Sequence, residues 1–293
     1  MPCYKLRTLL IGLALMNLED VEKIALAEIL KFGQQQTMSE MIRLTRITEI
    51  VLRYRSMMLG SAVTSQTNFV VPYGPFAGMR CINDWSGSAV LPRLIGSYEA
   101  ELHDTIQEIA RRGYERVVNI GCGEGYYAVG LARLLPGTHV FALDSEPVAR
   151  GLCHSLAELN EVAERVTVMG QCTPPMLQAL AQPGTLVFCD CEGAELELLD
   201  PVAVPVLAQC DIVVEMHDFL RPDTSATLDR RFRSTHSTRI IPQSSRDLQA
   251  YPILSLLSEF DRMLSLCEHR PGATPWGLFL SNSPSLGITS DAV

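Results

Sequence analysis

From Arg116 to Ser281 the sequence alternates between short runs rich in Val, Ile, Leu and Phe and longer stretches with helical periodicity. The strand-like runs cover residues 116–120, 139–144, 165–170, 185–190, 211–217, 239–242 and 276–281. Helical stretches separate most of them, at residues 126–135, 147–159, 174–181, 194–199 and 248–267. Buried strands that alternate with helices predict an α/β fold, a doubly wound, mostly parallel sheet of seven strands covered on both faces.

The first 96 residues precede this pattern and are predicted to form a separate N-terminal helical segment with a capping loop. Two stretches of apolar residues at helical spacing follow Asn17 and Glu40, and Gly33 ends the first. The apolar stripe of the second helix consists of Met41, Leu44, Ile47, Val51, Tyr54 and Met58. Such helices must pack on the main domain, residues 97–293, or on a second subunit. A homodimer through the N-terminal helices is therefore one expectation.

Residues 61–96 are rich in Gly, Pro, Ser and Asn and show no clear period. They predict a long loop, and loops of that length often serve as lids or binding loops. A further helix is expected after Ser97, with Leu102, Ile106 and Ile109 facing inward and Gly113 at its end.

The nonapeptide NIGCGEGYY, residues 119–127, places Gly121, Gly123 and Gly125 between a strand-like run and a helical stretch. A glycine loop in that position usually holds a nucleotide. The dinucleotide fingerprint needs a third glycine where Tyr126 stands, and the Gly-Lys-Ser/Thr ending of a P-loop is absent. Both departures favour a nucleoside ligand without phosphates.

The second strand-like run ends at Asp144. A carboxylate at that point can accept hydrogen bonds from both hydroxyls of a ribose. The helix that begins near Gly125 offers free N–H groups to a carboxylate. A ligand with a ribose at one end and an amino-acid carboxylate at the other is S-adenosylmethionine, which we therefore expect as the cofactor.

At these residues the sequence resembles the class I S-adenosylmethionine-dependent methyltransferases, whose first motif has the form V-x-D/E-x-G-x-G-x-G. Asn119 stands where that family usually has an acid. The resemblance implies a Rossmann-like fold in which residues 276–281 form the antiparallel strand that closes the sheet. It also implies cofactor contacts at Glu99, Asn119, Gly121, Gly123, Gly125, Tyr126, Asp144, Ser145, Gln171, Cys172 and Asp190.

Two motifs in the second half are more specific. Residues 188–199 read FCDCEGAELELL and resemble the D-V-E-G-A-E signature of the FkbM-type methyltransferases. Residues 211–218, DIVVEMHD, resemble that family's E-x-H strand end. The family transfers methyl groups mainly to hydroxyl oxygens of natural products and sugars. The resemblance implies O-methylation of a small hydroxylated acceptor, a secondary metabolite or a saccharide.

A hydroxyl acceptor needs a base, and three candidate catalytic residues, Asp190, Glu215 and His217, lie at or near strand ends that should converge. His217, with an ordinary pKa of ~6.5, suits a base at neutral pH, and Glu215 on the same face would orient it. Asp190 is the other candidate base. No metal is predicted, although Asp190 and Asp218 are spaced compatibly with magnesium.

A net charge of −9 disfavours a nucleic-acid partner, and no apolar run approaches the roughly 18 residues of a membrane span. Nine scattered cysteines without a C-x-x-C pair predict reduced thiols in a cytoplasmic protein. Alternative functions stay open: methylation of an amine or a protein, a regulatory protein that binds the cofactor without catalysis and, more weakly, an NAD-dependent oxidoreductase.

Overall fold

The computed structural model describes residues 18–35, 38–82, 89–270 and 272–283. Its helices are α1 (Leu18–Gly33), α2 (Glu40–Thr67), α3 (Val90–Ile95), α4 (His103–Arg112), α5 (Tyr126–Leu134), α6 (Pro147–Leu159), α7 (Pro174–Leu180), α8 (Glu195–Leu198), α9 (Thr224–Phe232) and α10 (Glu259–Ser265). Its strands are β1 (Arg116–Ile120), β2 (His139–Leu143), β3 (Val166–Met169), β4 (Leu186–Cys189), β5 (Asp211–Glu215), β6 (His236–Ile241) and β7 (Trp276–Ser281).

These residues divide into two compact units that are interleaved in sequence. The first contains residues 18–73, 81–98 and 246–269, and the second contains residues 74–80, 99–245 and 270–283, apart from the positions outside the described ranges. One crossover between the units lies between Tyr98 and Glu99, but residues 246–269 belong to the first unit, so the units do not coincide with the predicted domains 1–96 and 97–293. The functional division into a capping segment and a methyltransferase domain stays a prediction.

The first unit is helical, as expected for the N-terminal part. Ser39 begins α2 by accepting the N–H of Ile42, and Asn68, at φ 51°, ends it in the left-handed conformation. The helix thus runs through residues 61–67, and α3 forms later, so the loop predicted over 61–96 is wrong at both ends. The core of this unit contains Leu59 and Val63 of α2, which pack with other buried residues, among them Leu91, Ile95, Leu254 and Leu264.

The single helix predicted over residues 248–267 is also wrong. A short 3-10 turn, Pro252–Leu254, and the separate helix α10 occupy that stretch. Pro252 has no N–H to continue a helix, so it is confined to the start of the turn. The Ser258 side chain accepts the N–H of Asp261 at 3.2 Å and so begins α10 as a new helix.

The second unit contains a seven-stranded sheet in the order β3-β2-β1-β4-β5-β7-β6. Strands β1 to β5 pair in parallel, and β7 runs antiparallel to both β5 and β6. The predicted doubly wound, mostly parallel fold and its antiparallel strand at residues 276–281 are therefore confirmed.

Alternate residues of each central strand face opposite layers of helices. Val118, Ile120 and Val187 belong to a core that includes Leu177 of α7 and Phe232 of α9. On the other face, the ring of Phe188 lies 4.3 Å from that of Tyr127 on α5. Because β1, β2, β4 and β5 are parallel, their carboxyl ends lie at one edge of the sheet.

The eight cysteines within the described ranges are free thiols. Among the helices of the described part, none combines the length and the apolar composition that a membrane span requires.

Candidate functional site

The glycine loop joins β1 to α5 at the carboxyl edge of the sheet. Gly121, Gly123 and Gly125 have φ angles of 76°, 53° and 98°, where glycine is favoured. A Cβ on Gly121 would lie 1.6 Å from the carbonyl oxygen of Asp190, and one on Gly125 would lie 2.9 Å from the Sγ of Cys153. A Cβ on Gly123 would meet nothing within 4 Å. Packing requires the outer glycines, whereas the middle one borders open space that a ligand can enter.

Asp144 fixes this loop from the end of β2. Its Oδ2 accepts the N–H of Gly123 and its Oδ1 accepts the N–H of Glu146, each at 2.8 Å. Carboxylate oxygens carry further lone pairs, so Asp144 can still accept hydrogen bonds from two hydroxyls. Ser145, the next predicted cofactor contact, is exposed, and its carbonyl oxygen accepts a hydrogen bond from Arg150 at 3.0 Å.

Asn119 lies on β1 directly before the loop and is buried. Its Nδ2 donates to the carbonyl oxygen of Phe188 at 3.3 Å, while its Oδ1 has no hydrogen-bond partner among the described residues. A buried acceptor without a donor is costly, so this oxygen suits a donor supplied by a ligand.

Three further predicted cofactor contacts lie around the loop in different environments. Tyr126 is buried, with its ring 5.2 Å from that of Phe76, which makes it part of the core. Gln171 is exposed in the segment after β3. Cys172 is buried, and burial raises the pKa of its thiol to about 12. Their contacts with a cofactor stay predictions.

The three predicted catalytic residues come together beyond the ends of β4 and β5. His217 Nε2 lies 3.2 Å from Glu215 Oε2 and 3.8 Å from Asp190 Oδ1. Its Nδ1 lies 2.7 Å from Glu195 Oε1, so the imidazole is held between three carboxyl groups. The side chain of Asp190 is 25% exposed against 5% for His217, which leaves Asp190 as the member that solvent reaches.

The surroundings of His217 shift its pKa away from the ordinary value that made it a candidate base; its role as a base stays a prediction. Burial alone would lower the pKa of His217, but the hydrogen bonds to Glu195 and Glu215 and the nearby charges of Glu215 and Asp190 raise it to about 11. Both ring nitrogens then carry protons at neutral pH. A protonated imidazole offers no lone pair to a substrate proton.

The carboxyl groups around His217 divide into two kinds. Burial, together with the carboxylates of Glu215 and Glu99, raises the pKa of Asp190. Burial would also raise the pKa values of Glu195 and Glu215, but their hydrogen bonds to His217 lower both. Two carboxylates therefore stay ionised against the imidazolium, and Asp190 holds its proton most tightly.

Arg270 joins this cluster to Glu99 and was not expected from the sequence. Its Nη1 lies 2.8 Å from Glu215 Oε1, and its Nη2 lies 3.1 Å from Glu99 Oε1. The hydroxyl of Tyr127 donates to the other oxygen of Glu99. Protein groups thus engage both oxygens of Glu99, and its predicted cofactor contact stays a prediction. No motif surrounds Arg270, so only its charge could have marked it.

Glu195 lies inside the D-x-E-G-A-E motif, but no individual role was predicted for it. It is completely buried, and its Oε1 also accepts the N–H of Gly193 at 3.0 Å. Its position in the sequence could have indicated this role, because Glu195 begins the short helix α8 only a few residues beyond the end of β4.

Among the described residues, Asp190, Glu215 and His217 could together bind a metal ion. Each offers one ligand atom, and these three atoms lie within 4.8 Å of one another. A metal ion at these atoms would have to displace the proton from Nε2 of His217, because only a neutral imidazole binds metal. Asp218, considered as a magnesium ligand from the sequence, instead accepts the N–H of Ser225 at 3.0 Å. The absence of a metal stays a prediction.

No protein-family model and no curated protein sequence matches the chain. Among solved structures, an O-methyltransferase from Bacillus cereus in complex with SAH is similar at 14% identity and TM-score 0.44, over 77% of this chain and 90% of that chain. The O-methyltransferase TomG from Streptomyces achromogenes, involved in tomaymycin synthesis and in complex with SAM, is similar at 15% identity and TM-score 0.44, over 77% and 89%.

An rRNA methylase from Streptococcus thermophilus is similar at 12% identity and TM-score 0.43, over 62% of this chain and 95% of that chain. Likenesses at this level assign no activity, acceptor or cofactor to the chain.

Proposed function

We propose that the chain is an S-adenosylmethionine-dependent methyltransferase that methylates a hydroxyl group of a small molecule. The observation that carries this proposal is the glycine loop between β1 and α5, tied by Gly123 to the carboxylate of Asp144. Open space beside Gly123 and a carboxylate one strand away suit a nucleoside with a ribose and no phosphates. The resemblance of residues 188–199 and 211–218 to FkbM-type enzymes supports the hydroxyl acceptor.

The residues around the loop fit this cofactor. Asp144 has lone pairs for the ribose hydroxyls, and the buried Oδ1 of Asn119 lacks a donor that the cofactor's ammonium group can supply. S-Adenosylmethionine, when bound, would supply a methyl group on a sulfonium: the acceptor oxygen would bond to the methyl carbon as the carbon–sulfur bond breaks, leaving S-adenosylhomocysteine. The protein must then align the acceptor oxygen with the methyl carbon and accept the proton of the acceptor hydroxyl.

Of the two bases considered from the sequence, Asp190 is the one that the contacts favour. Its side chain is the more exposed, whereas His217 is bonded through both nitrogens. The raised pKa of Asp190 makes its carboxylate a stronger base than an ordinary aspartate once the proton has left. His217 then acts as a positioning residue that holds Glu215 and Asp190 beside each other.

An apolar surface borders the cluster and suits the framework of the acceptor. Phe219 and Leu220 are both exposed, directly after the strand end that carries His217. Phe219 lies against Gly272, and its ring centroid is 5.9 Å from that of His217, while Leu220 lies near Gly193. Ring-bearing acceptors, including secondary metabolites and the apolar faces of saccharides, would be held by such side chains.

The first test is calorimetry of the purified chain with S-adenosylmethionine and S-adenosylhomocysteine. Asp144→Ala removes two charge-assisted hydrogen bonds to the ribose and should weaken binding about 100-fold. Asp104→Ala, which alters an exposed aspartate on α4, is the matched control and should bind as the wild type does. Failure of the wild type to bind at millimolar cofactor would refute the proposal.

The second test measures S-adenosylhomocysteine formation with phenolic and saccharide acceptors across pH. We expect kcat to rise with pH as Asp190 loses its proton, and Asp190→Asn to lower kcat by about 100-fold or more. Because Asp190 is also a predicted cofactor contact, kcat is measured at saturating S-adenosylmethionine, where a weaker cofactor affinity does not lower it. Full activity of this variant would remove Asp190 as the base.

An amine acceptor is the second candidate, and the charge of the cluster favours it. Five buried or half-buried acids surround two cations; the acids are Glu99, Glu101, Asp190, Glu195 and Glu215, and the cations are Arg270 and His217. This excess of acids would attract a protonated amine. Turnover of amines but not of hydroxyl acceptors, in the same assay, would favour this candidate.

A further inference from the structure

An apolar stripe along the first half of α2 stays open to solvent. Met41 is 76% exposed, Leu44 65% and Val51 46%, and Thr48 completes the row at heptad spacing. We call these four residues the α2 seam. A shallow groove of about 570 Å³ runs along it, lined by Glu40, Met41, Leu44, Thr45, Thr48 and Glu49. Exposed apolar surface rimmed by polar residues marks an interaction site.

The arginines near the seam are engaged within the chain. Arg46 pairs with Glu49 at 2.8 Å, and Arg55 pairs with Asp261 at 2.6 Å. Arg43 donates to the carbonyl oxygen of Gly33 at 3.2 Å. The α2 seam itself contains no charge, and the hydroxyl of Thr48 donates to the carbonyl oxygen of Leu44 at 2.9 Å. Glu40 also lines the groove, but it lies at the start of α2, beyond the first seam residue. Covering the four seam residues themselves therefore buries no charge, which suits an apolar helix rather than a polyanion.

The spacing of the α2 seam is the same in either chain direction. Successive members are three, four and three residues apart, so the row read backwards matches itself. When two copies run antiparallel, Met41 faces Val51 of the other copy and Leu44 faces Thr48. Each layer then pairs a long side chain with a short one, which gives layers of similar thickness for knobs-into-holes packing. A surface that complements itself is what a two-fold dimer requires.

We propose that the α2 seams of two copies of this chain pack antiparallel in a homodimer. The tyrosine hydroxyl of Tyr54 donates to Glu22 Oε1 at 2.9 Å and links α2 to α1, so each copy presents a helical hairpin. Leu26 and Leu30, one turn apart on α1, are also exposed and extend the apolar surface of the hairpin. Two hairpins then form a four-helix arrangement. This proposal does not depend on methyl transfer.

Sedimentation velocity of the full chain over a range of micromolar concentrations tests the dimer. The wild type should sediment with twice the mass of one chain. Leu44→Glu should raise the dissociation constant by about 100-fold or more, because two-fold symmetry places the new carboxylate at two points of the interface. Leu256→Glu is the matched control, since Leu256 is 98% exposed in the same unit but lies outside the seam. It should remain dimeric.

Cross-linking tests the antiparallel register independently. A mixture of Met41→Cys chains and Val51→Cys chains should cross-link with a bismaleimide of short spacer, beyond the background of the wild type. Either variant alone should not, because antiparallel pairing sets Met41 and its own copy about 15 Å apart along the helix, ten residues at about 1.5 Å each. Circular dichroism of each variant checks that it folds.

A wild type that is monomeric at all concentrations overturns the proposal, and would leave residues 1–17 of the chain or another protein as the occupant of the seam. Efficient cross-linking of Met41→Cys chains alone overturns the antiparallel register. Dissociation by Leu256→Glu but not by Leu44→Glu assigns the interface to a different surface and also overturns the proposal.

Discussion

Replacing Gly121 and Gly123 in turn by alanine should separate folding from binding in the same loop. Both residues have positive φ, so alanine at either position costs about 1–2 kcal/mol of backbone strain. At Gly121 the new Cβ would also lie 1.6 Å from the carbonyl oxygen of Asp190. At Gly123 it would meet nothing within 4 Å.

The clash at Gly121 has no easy relief, because both atoms belong to backbone in the sheet edge. The N–H of Asp190 donates to the carbonyl oxygen of Ile120 at 2.9 Å, which ties the end of β4 to the end of β1. Overpacking of this kind costs about 1–3 kcal/mol or more. Gly121→Ala should therefore lose about 2–5 kcal/mol in total, and Gly123→Ala about 1–2 kcal/mol.

Thermal unfolding followed by far-ultraviolet circular dichroism measures the difference. For a chain of this size each 1 kcal/mol shifts Tm by about 2–4 °C, so Gly121→Ala should melt several degrees below Gly123→Ala. In calorimetry at a temperature where both variants are folded, Gly123→Ala should bind S-adenosylmethionine more weakly than Gly121→Ala. Only the alanine methyl group at position 123 would enter the space proposed for the ligand. Equal melting temperatures for the two variants would refute the packing role of Gly121.

Three further perturbations address the buried polar groups. Arg270→Met leaves Glu99 and Glu215 without their shared cation and should cost about 3–5 kcal/mol in urea unfolding; a cost near zero would contradict the network. The pKa of His217 is raised to about 11 in the folded protein. The stability that protonated His217 contributes is therefore complete below pH ~6.5, its unfolded pKa, and is lost as the pH rises from there towards the folded pKa. Between pH 7 and 9 the wild type should therefore lose about 1 kcal/mol per pH unit relative to His217→Gln, and parallel profiles would disprove the shift. Asn119→Asp should raise affinity for S-adenosylmethionine about 10-fold in calorimetry, through attraction to its ammonium, while lowering the stability of the free protein; weaker binding would count against that contact.

The sheet was largely predictable from the sequence, because strands buried on both faces appear as continuous apolar runs. The bounds of β1 and β7 agree with the predicted runs 116–120 and 276–281. Helix ends were less predictable, since they depend on single residues. Asn68 in a left-handed conformation decides where α2 ends, and Ser258 decides where α10 begins.

The sequence predicted three members of the site, but not their partners Glu195 and Arg270 and not their protonation. Strand ends alone bring Asp190, Glu215 and His217 together, because parallel strands finish at one edge of the sheet. The protonation of His217 depends on three carboxyl groups around it, and Glu195 was not assigned to that role. Arg270 lies far along the chain from Glu215, so no local pattern could have joined them.

The contact between Gly121 and the carbonyl oxygen of Asp190 has a consequence for altering specificity. Gly121 belongs to the loop proposed to hold the methyl donor, and Asp190 is proposed to receive the acceptor's proton. The backbone atoms of these two residues pack directly against each other. Engineering that changes the backbone near Asp190 would therefore disturb donor affinity as well as turnover. Phe219 and Leu220 lie on a different segment, so acceptor preference can be evolved there while the spacing between donor and base is preserved.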